Sequence, residues 1–331
     1  MDNKDLLIRN VAVVVIGRNE AARLQSTLQA VLMAGVPLIY VDSQSKDNSV
    51  ELARSLDVEV LTLSEDKPVN ASRARNEGAR ALISKFPQLS CIQFLDGDTV
   101  LNADWLATAF MYMESNPSVG FVCGQLREKD RDENIYRRLC DMEWRWEATK
   151  DAEPCRIGGM GMMRLSAYVS SSGYDESLIA GADPELYARL AKAGWALHVL
   201  QDAMGIHDSG MQSFQQWWTR NLKSGFGFAN GQSTGAWGRE RRSAILWGGF
   251  IPLSLIIITM LMSSWALLLL LVYPLNVYRI WISPAKKGFS QNDRWLYASA
   301  CMASKVSQFM GIVKYYWRNY MKQTASVIQY K

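Results

Sequence analysis

Histidine is almost missing from this chain, with only His198 and His207 among 331 residues. That scarcity excludes a multi-histidine metal cluster and leaves a Ser/His/Asp triad few ways to form. Cysteine is sparse as well. Cys91, Cys123, Cys140, Cys155 and Cys301 are odd in number, irregularly spaced and contain no CxxC pair. They argue against a disulfide framework or a zinc site and for a reducing compartment. Neither charge sign dominates: 36 Lys and Arg face 32 Asp and Glu, and the mean hydropathy is −0.08. With 21% charged and 49% hydrophobic residues, neither a disordered chain nor one made mostly of membrane spans fits. No repeat, low-complexity tract or signal peptide is legible, so the chain is expected to begin in the cytoplasm. Any metal has to rest on carboxylates.

What is present begins with Val11–Ile16, a continuous apolar and mostly β-branched run that ends at Gly17 and leads into a helical pattern. It reads as a buried strand feeding a helix. Leu38–Val41, ending at Asp42, repeats the unit, Val58–Leu63 gives a third strand, and an Ala/Arg-rich helix spans roughly Ala71–Ser84. Cys91–Leu95 then runs into Asp96-Gly97-Asp98. Alternating strands and helices predict an α/β fold with a mostly parallel, doubly wound sheet, whose ligand edge lies at the carboxyl ends of its strands. Asn19-Glu20, Asp42 and Asp96–Asp98 share that edge. Roughly 120–210 is less regular, with a Gly158-Gly159-Met160-Gly161 cluster, a helix from near Pro184, and a strand at Trp195–Leu200. It reads as an acceptor-side half.

From Ala244 to Ile282 the only charge is Arg279. Two arms of about 18–19 residues, broken at Ser263-Ser264, would each reach about 27–29 Å, close to the thickness of a bilayer's hydrocarbon core. A membrane helical hairpin is the favoured reading; a re-entrant hairpin or a pair of core helices stays open. Pro252 and Pro274 sit inside the arms as kink sites. Residues 283–331 hold eight Lys and Arg against the single Asp293, leaving residues 1–282 with 28 basic and 31 acidic residues. Trp295, Val306, Phe309, Met310, Val313 and Trp317 recur among the tail's cations, the pattern of an interfacial amphipathic helix, with a soluble amphipathic helix packed on the enzyme as the alternative. Such a tail favours anionic lipid over nucleic acid and, by the positive-inside rule, the cytoplasmic face.

Asp96-Gly97-Asp98 is the most informative triplet. Two carboxylates flanking one residue at the end of a buried strand can share a divalent cation and ribose hydroxyls, and Gly97 permits close approach of a ligand. Its neighbours are Val13–Glu20, Val41–Ser49, Ser72–Gly78 and Phe94–Asp98. In this order and spacing the chain resembles the family 2 glycosyltransferases of the GT-A fold over about residues 11–210. The resemblance implies a nucleotide-sugar transferase using Mg²⁺ or Mn²⁺, with UDP the first choice of nucleotide. It puts Asn19, Glu20, Asp42, Arg75, Asn76 and Asp96 around the nucleotide-sugar, and Asp98 on the metal. Ala180–Leu186, with Arg189-Leu190 and Gly194-Trp195, looks like the family's acidic acceptor motif, although Ala182 stands where a carboxylate is usual. Asp183 is then the candidate general base, with a helix cap as the structural alternative. Glu185 is the substitute, expected to face solvent. His207 resembles the histidine that completes the metal site in some members, against a hydrogen-bonded structural histidine. Gln215–Arg220 loosely resembles an acceptor motif of processive relatives, making Trp217, Trp218 and Arg220 weak acceptor candidates beside Arg241 and Arg242, which also suit ordinary positive flanking of a span.

The expected organisation is a glycosyltransferase domain over 1–240, divided near 119/120, a membrane hairpin over 241–282, and a basic amphipathic tail over 283–331. The expected activity is inverting transfer to a lipid-linked or polysaccharide acceptor at the cytoplasmic membrane face. Transfer to a polyprenyl phosphate and a non-catalytic scaffold are the alternatives.

Overall fold

The structure is a computed structural model that describes residues 3–145, 158–178, 180–231, 237–261, 270–283 and 288–321. It divides into two compact units, Met1–Lys129 with Trp144–Ser209, and Asp130–Glu143 with Gly210–Lys331. The chain order begins α1 (Asn3–Asn10), β1 (Val11–Gly17), α2 (Ala21–Ala34), β2 (Leu38–Asp42), α3 (Ser49–Ser55), β3 (Glu59–Thr62) and α4 (Ala71–Lys85). It continues with β4 (Cys91–Asp96), β5 (Thr99–Leu101), α5 (Trp105–Ser115), β6 (Val119–Glu128), α6 (Ile135–Trp144), β7 (Gly161–Arg164), α7 (Leu165–Ser170), α8 (Ala182–Lys192) and β8 (Ala196–His207). The remaining helices are α9 (Phe214–Asn230), α10 (Gly238–Ile245), α11 (Ile251–Leu261), α12 (Val272–Ile282) and α13 (Gln291–Tyr320).

All the described strands belong to the first unit and form one sheet, ordered β3-β2-β1-β4-β7-β6-β8-β5. From β3 to β4 it is parallel. Val11–Val15 of β1 are wholly buried, as a strand covered on both faces requires. Beyond β4 the sheet is mixed, because β7 runs antiparallel to both β4 and β6, and β5 antiparallel to β8. The expected mostly parallel sheet therefore holds for the first half and gives way to mixed pairing in the second. Val119–Glu128 escaped the sequence reading because Gly120 and Gly124 interrupt its apolar run. A Cβ on Gly124 would stand 2.5 Å from both Asp202 O and the Trp105 ring, so the strand needs glycine there for backbone and indole to approach.

Helix α4 carries two of the predicted nucleotide-side residues, Arg75 and Asn76. Asn70 caps it, accepting from Arg73 N at 2.9 Å. A Cβ on Gly78 would lie 2.5 Å from Val14 Cγ1, so α4 lies tightly on β1 and its early residues reach the sheet's ligand edge.

In the second unit α9 and α13 meet backbone to backbone, with Gly225 against Gln308 O and Gly311 against Leu222 O. Gly248, in a π-helical turn at Leu246–Phe250, faces Lys305 O in the same way. Arg131 pairs with the buried Asp141 at 3.2 Å and with Asp293 at 2.9 Å. Gly238–Leu261 forms a 24-residue helical run with hydropathy 2.2 in its most apolar window, long and apolar enough to cross a membrane by length and composition. Residues 262–269, which include Ser263-Ser264 and much of the predicted second arm, lie outside the described residues, as do Cys155 and 322–331. The predicted tail helix is present as α13. Ala298, Met302, Ser307, Gln308, Gly311 and Ile312 are buried, whereas Val306, Met310, Val313, Trp317 and Tyr320 are exposed along another face.

Candidate functional site

The loops after β1 and β2 are tied together. Asn19 adopts φ 58°, a left-handed conformation that Asn tolerates better than most residues. Its Oδ1 accepts from Lys46 N at 2.8 Å and its N donates to Ser45 Oγ at 2.9 Å. Its side-chain oxygen, expected at the nucleotide, is thus used inside the loop pair. Asp47 accepts from Ala21 N at 3.0 Å and from Ser49 N and Oγ at 3.1 and 2.5 Å. Burial raises the Asp47 pKa, but these hydrogen bonds outweigh it and hold the carboxyl below its ordinary value. Asp42 is 1% exposed and accepts from Tyr40 Oη at 3.1 Å and Ser45 N at 2.9 Å. Glu20 is buried and pairs with Arg23 at 2.8 Å. Asp42 and Glu20 thus stand at adjacent strand ends, where a base and ribose would lie in a sheet of this type.

On α4 the three polar candidates separate in character. Arg73 is buried and donates to Ser64 O at 2.8 Å and Lys67 O at 3.0 Å, pinning the loop after β3. Asn76 donates to Tyr174 O at 2.8 Å and Glu176 Oε1 at 2.9 Å, and accepts from Tyr168 Oη at 2.6 Å and Tyr174 N at 3.0 Å. With both amide protons and its carbonyl engaged, Asn76 anchors the loop at 174–176.

Arg75 is the centre of the site. Its Nη2 donates to Asp96 Oδ1 at 3.1 Å and its Nη1 to Asp183 Oδ1 at 3.0 Å. Burial opposes the cation, but Asp183, Tyr174 and Asp96 around it raise its pKa, so it stays protonated. The guanidinium carbon lies 5.3 Å from the Tyr174 ring centroid. Asp183 is in the first turn of α8, whose cap is Gly181 at φ 86°. The capping alternative is therefore not realised, and the side chain turns to Arg75. Glu185 does not face bulk solvent: it holds Arg189 with two contacts of 2.6 Å, and Arg189 donates to Gly173 O at 2.8 Å.

The second carboxylate of the triplet meets His207 through strand register. Thr99 pairs with His207 across β5 and β8, and Glu128 pairs with His207 across β6 and β8. Asp98 Oδ2 stands 3.7 Å from His207 Nε2, and both residues are buried. On the other side of the ring, Nδ1 donates to Glu128 Oε2 at 2.7 Å. Glu128 also accepts from Ser209 N at 2.8 Å and Ser209 Oγ at 2.6 Å. The sequence reading missed Glu128; only its position at the end of β6 could have signalled it, and that strand was hidden.

This donor chemistry fits Mg²⁺ or Mn²⁺. A carboxylate oxygen and an imidazole nitrogen face each other too far apart for a hydrogen bond. A carboxylate behind the ring sets its orientation, as behind metal-binding histidines generally. Among the described residues no group of three or more His, Cys, Asp and Glu could hold a metal ion, so substrate phosphate oxygens and water would supply the other positions.

The weak acceptor candidates lie in the second unit. Trp217 is 5% exposed, with Phe214 5.7 Å from its ring, so it packs rather than presenting a face to a sugar. The Trp218 ring lies 5.7 Å from that of Phe214, tilted at 42°. Arg220 pairs with Glu143 at 2.6 Å. Arg241 and Arg242 lie on α10, at the start of the apolar helical run.

Among solved structures the chain is similar to the mannosyltransferase PcManGT from Pyrobaculum calidifontis, in complex with GDP-Man and Mn²⁺. That match has a TM-score of 0.61 at 16% identity and covers 93% of this chain and 87% of that one. Residues 1–349 of S. aureus TarS match with a TM-score of 0.51 at 11% identity, over 94% of this chain and 92% of that one. These likenesses show the fold, which is GT-A. Among curated proteins, the O-antigen chain rhamnosyltransferase RfbN of Salmonella typhimurium strain LT2 is 25% identical over 181 residues, 51% of this chain and 56% of that protein. The pre-mycofactocin glycosyltransferase of Mycobacterium tuberculosis H37Rv is 26% identical over 215 residues, 62% of this chain and 44% of that protein. The chain spans about half the length of the curated relatives it matches. Finally, the model for glycosyl transferase family 2 matches residues 12–169, and that for glycosyl transferase family group 2 matches 91–282. Since these matches run through the strands that deliver Asp42, Asp96 and Asp98, and the second covers more than half of the chain, the chain belongs to the family 2 glycosyltransferases.

Proposed function

We propose that the chain is a divalent-metal-dependent, inverting glycosyltransferase that moves a sugar from a nucleotide-sugar, with UDP the first choice, to a lipid-linked or polysaccharide acceptor. The observation that carries this reading is the single buried guanidinium of Arg75 holding Asp96 of the donor-side triplet and Asp183 of the acceptor-side motif. Asp42 and Glu20 take the nucleoside and Asp96 the ribose. Asp98 and His207 Nε2 would hold the metal, which would supply positive charge to offset that on a departing diphosphate. Asp183 Oδ1 is oriented by Arg75, and Oδ2 takes the proton of the acceptor hydroxyl. The acceptor oxygen forms its bond to the anomeric carbon as the bond from that carbon to the diphosphate oxygen breaks, inverting the centre. Nucleoside diphosphate leaves, and no enzyme nucleophile is needed.

The place of action is the cytoplasmic face of the inner membrane. The 24-residue run Gly238–Leu261 is about 36 Å long at 1.5 Å per residue, and Arg239, Arg241 and Arg242 flank its start. Ile256, Ile257, Met260 and Leu261 are exposed on it, as are the apolar residues along α13, the surface that suits hydrocarbon rather than water. An O-antigen chain rhamnosyltransferase among the relatives supports a polysaccharide acceptor.

The test uses membranes containing the full chain and a panel of radiolabelled UDP-, GDP- and dTDP-sugars. Label should pass from one donor into the lipid-linked or polysaccharide fraction with equal release of nucleoside diphosphate. Both should be lost in Asp98→Ala and Asp183→Asn. Full transfer by Asp183→Asn removes that residue as base. Transfer that survives chelation removes the metal. Label confined to a polyprenyl monophosphate assigns that acceptor instead.

A further inference from the structure

We propose that Arg75, beyond any contact with donor, is the positioning residue for the catalytic base: its fork fixes the Asp183 carboxylate at a set distance from the donor-side Asp96. The inference rests on the reading of Asp183 as base.

Three observations carry it. The two carboxylates lie 87 positions apart in sequence, on different elements, yet each receives one terminal nitrogen of the same guanidinium, at 3.0 and 3.1 Å. A planar fork holds two acceptors at a fixed separation and angle, whereas an ammonium is a compact charge that does not dictate their geometry. Arg75 is itself held. Its side chain is 5% exposed, against 28% for Asp183 and 37% for Asp96, so the cation is buried while both carboxylates open toward solvent and substrate. Tyr174 lies beside it, and the loop carrying Tyr174 is anchored by Asn76, one residue along α4 from Arg75. Finally, Gly159 leaves room for the pair: a Cβ there would stand 2.5 Å from Asp183 Oδ1 and 2.6 Å from Arg75 Nη2. One cation faces two carboxylates. Asp183 Oδ1 is committed to Arg75, and among the described residues Oδ2 has no hydrogen-bond partner, which leaves it for the acceptor hydroxyl.

The experiment measures kcat at saturating donor, using the nucleotide-sugar that the panel above selects, in the wild type, Arg75→Lys, Asp183→Asn and the double variant. Gly159→Ala and Arg75→Ala, the latter with and without ethylguanidinium, complete the set. Thermal melting establishes that each is folded. A misplaced base costs about 10²-fold, so Arg75→Lys and Gly159→Ala should each lose about that much. In the Asp183→Asn background Arg75→Lys should lose less than about threefold, because a residue that acts through the base has little left to act on. Ethylguanidinium should restore Arg75→Ala at least about tenfold, and ethylammonium should not. Equal losses from Arg75→Lys in both backgrounds, or Arg75→Lys and Gly159→Ala within twofold of wild type, overturn the proposal. If Arg75→Ala fails to fold, the Lys and Gly159 variants decide. An active Asp183→Asn enzyme defeats the assignment of the base and this inference with it. An inactive Asp183→Asn enzyme beside a fully active Arg75→Lys enzyme defeats the inference alone.

Discussion

Glu128→Gln is the sharpest perturbation of the proposed metal pair, because it replaces one carboxylate oxygen by an NH2 group and changes almost no volume. Glu128 has a wholly buried side chain and accepts three hydrogen bonds, from His207 Nδ1 at 2.7 Å and from Ser209 N and Oγ at 2.8 and 2.6 Å. Glutamine keeps an oxygen for Ser209 but turns an N–H toward His207 Nδ1. The imidazole can meet that donor only by giving up its Nδ1 proton, which moves the proton to Nε2, the atom facing Asp98. The nitrogen proposed to bind metal then carries hydrogen instead of a lone pair. Loss of a carboxylate behind a metal-binding histidine costs about 10–100-fold in metal affinity, or about 1.4–2.8 kcal/mol at about 1.4 kcal/mol per tenfold. In a Mn²⁺ titration of nucleoside diphosphate release, the midpoint should rise by that factor, while the rate at saturating Mn²⁺ returns to within a few-fold of wild type. Ser209→Ala, which removes the hydroxyl donor and keeps the backbone N–H without touching the ring, should leave the midpoint in place. An unchanged midpoint in Glu128→Gln refutes the role of His207. A fall in saturating rate with no change in midpoint assigns the damage to the fold of the strand ends instead.

Two further outcomes test the scaffold. Asp47, held below its ordinary value of 3.8 by its hydrogen bonds, stabilises the folded chain when ionised. That contribution is present above the unfolded value and is lost as the pH falls through the lower folded one. Urea unfolding of wild type and Asp47→Asn should therefore differ at pH 7 and converge below about pH 4. In the sheet, Gly124→Ala forces a methyl to within 2.5 Å of Asp202 O and the Trp105 ring. Overpacking of this kind costs about 1–3 kcal/mol, read as a lower denaturant midpoint, and an unshifted midpoint contradicts the account of β6.

Strands β1, β2 and β4 were legible because a strand buried on both faces is apolar throughout, whereas β3, half exposed at the sheet edge, showed through the β-branched Val58 and Val60. The ends of those strands located Asp42, Asp96 and Asp98 without coordinates. What stayed hidden depends on pairing at a distance. Val119–Glu128 carries two glycines that its packing demands, β7 is four residues long, and neither advertises itself by period. Glu128 becomes visible only when β6 and β8 are in register, which brings it opposite His207. Asn76 and Arg75 are neighbours with the same apparent promise, yet one has its hydrogen bonds taken by the loop at 174–176 while the other bridges two carboxylates. Side-chain saturation of that kind has no sequence signature. Trp217, attractive as a sugar platform by residue type, is buried beside Phe214.

The glycines at 225, 248 and 311 also decide how the helical unit responds to its surroundings. Where Gly225 meets Gln308 O, Gly311 meets Leu222 O and Gly248 meets Lys305 O, main chain lies on main chain and the attraction is dispersion at close range. A contact of this sort does not depend on expelling water, which is why small residues recur between helices in lipid. Contacts of this kind hold as well in hydrocarbon as in water. A leucine-filled interface lacks this property, because lipid tails compete with leucine on equal terms.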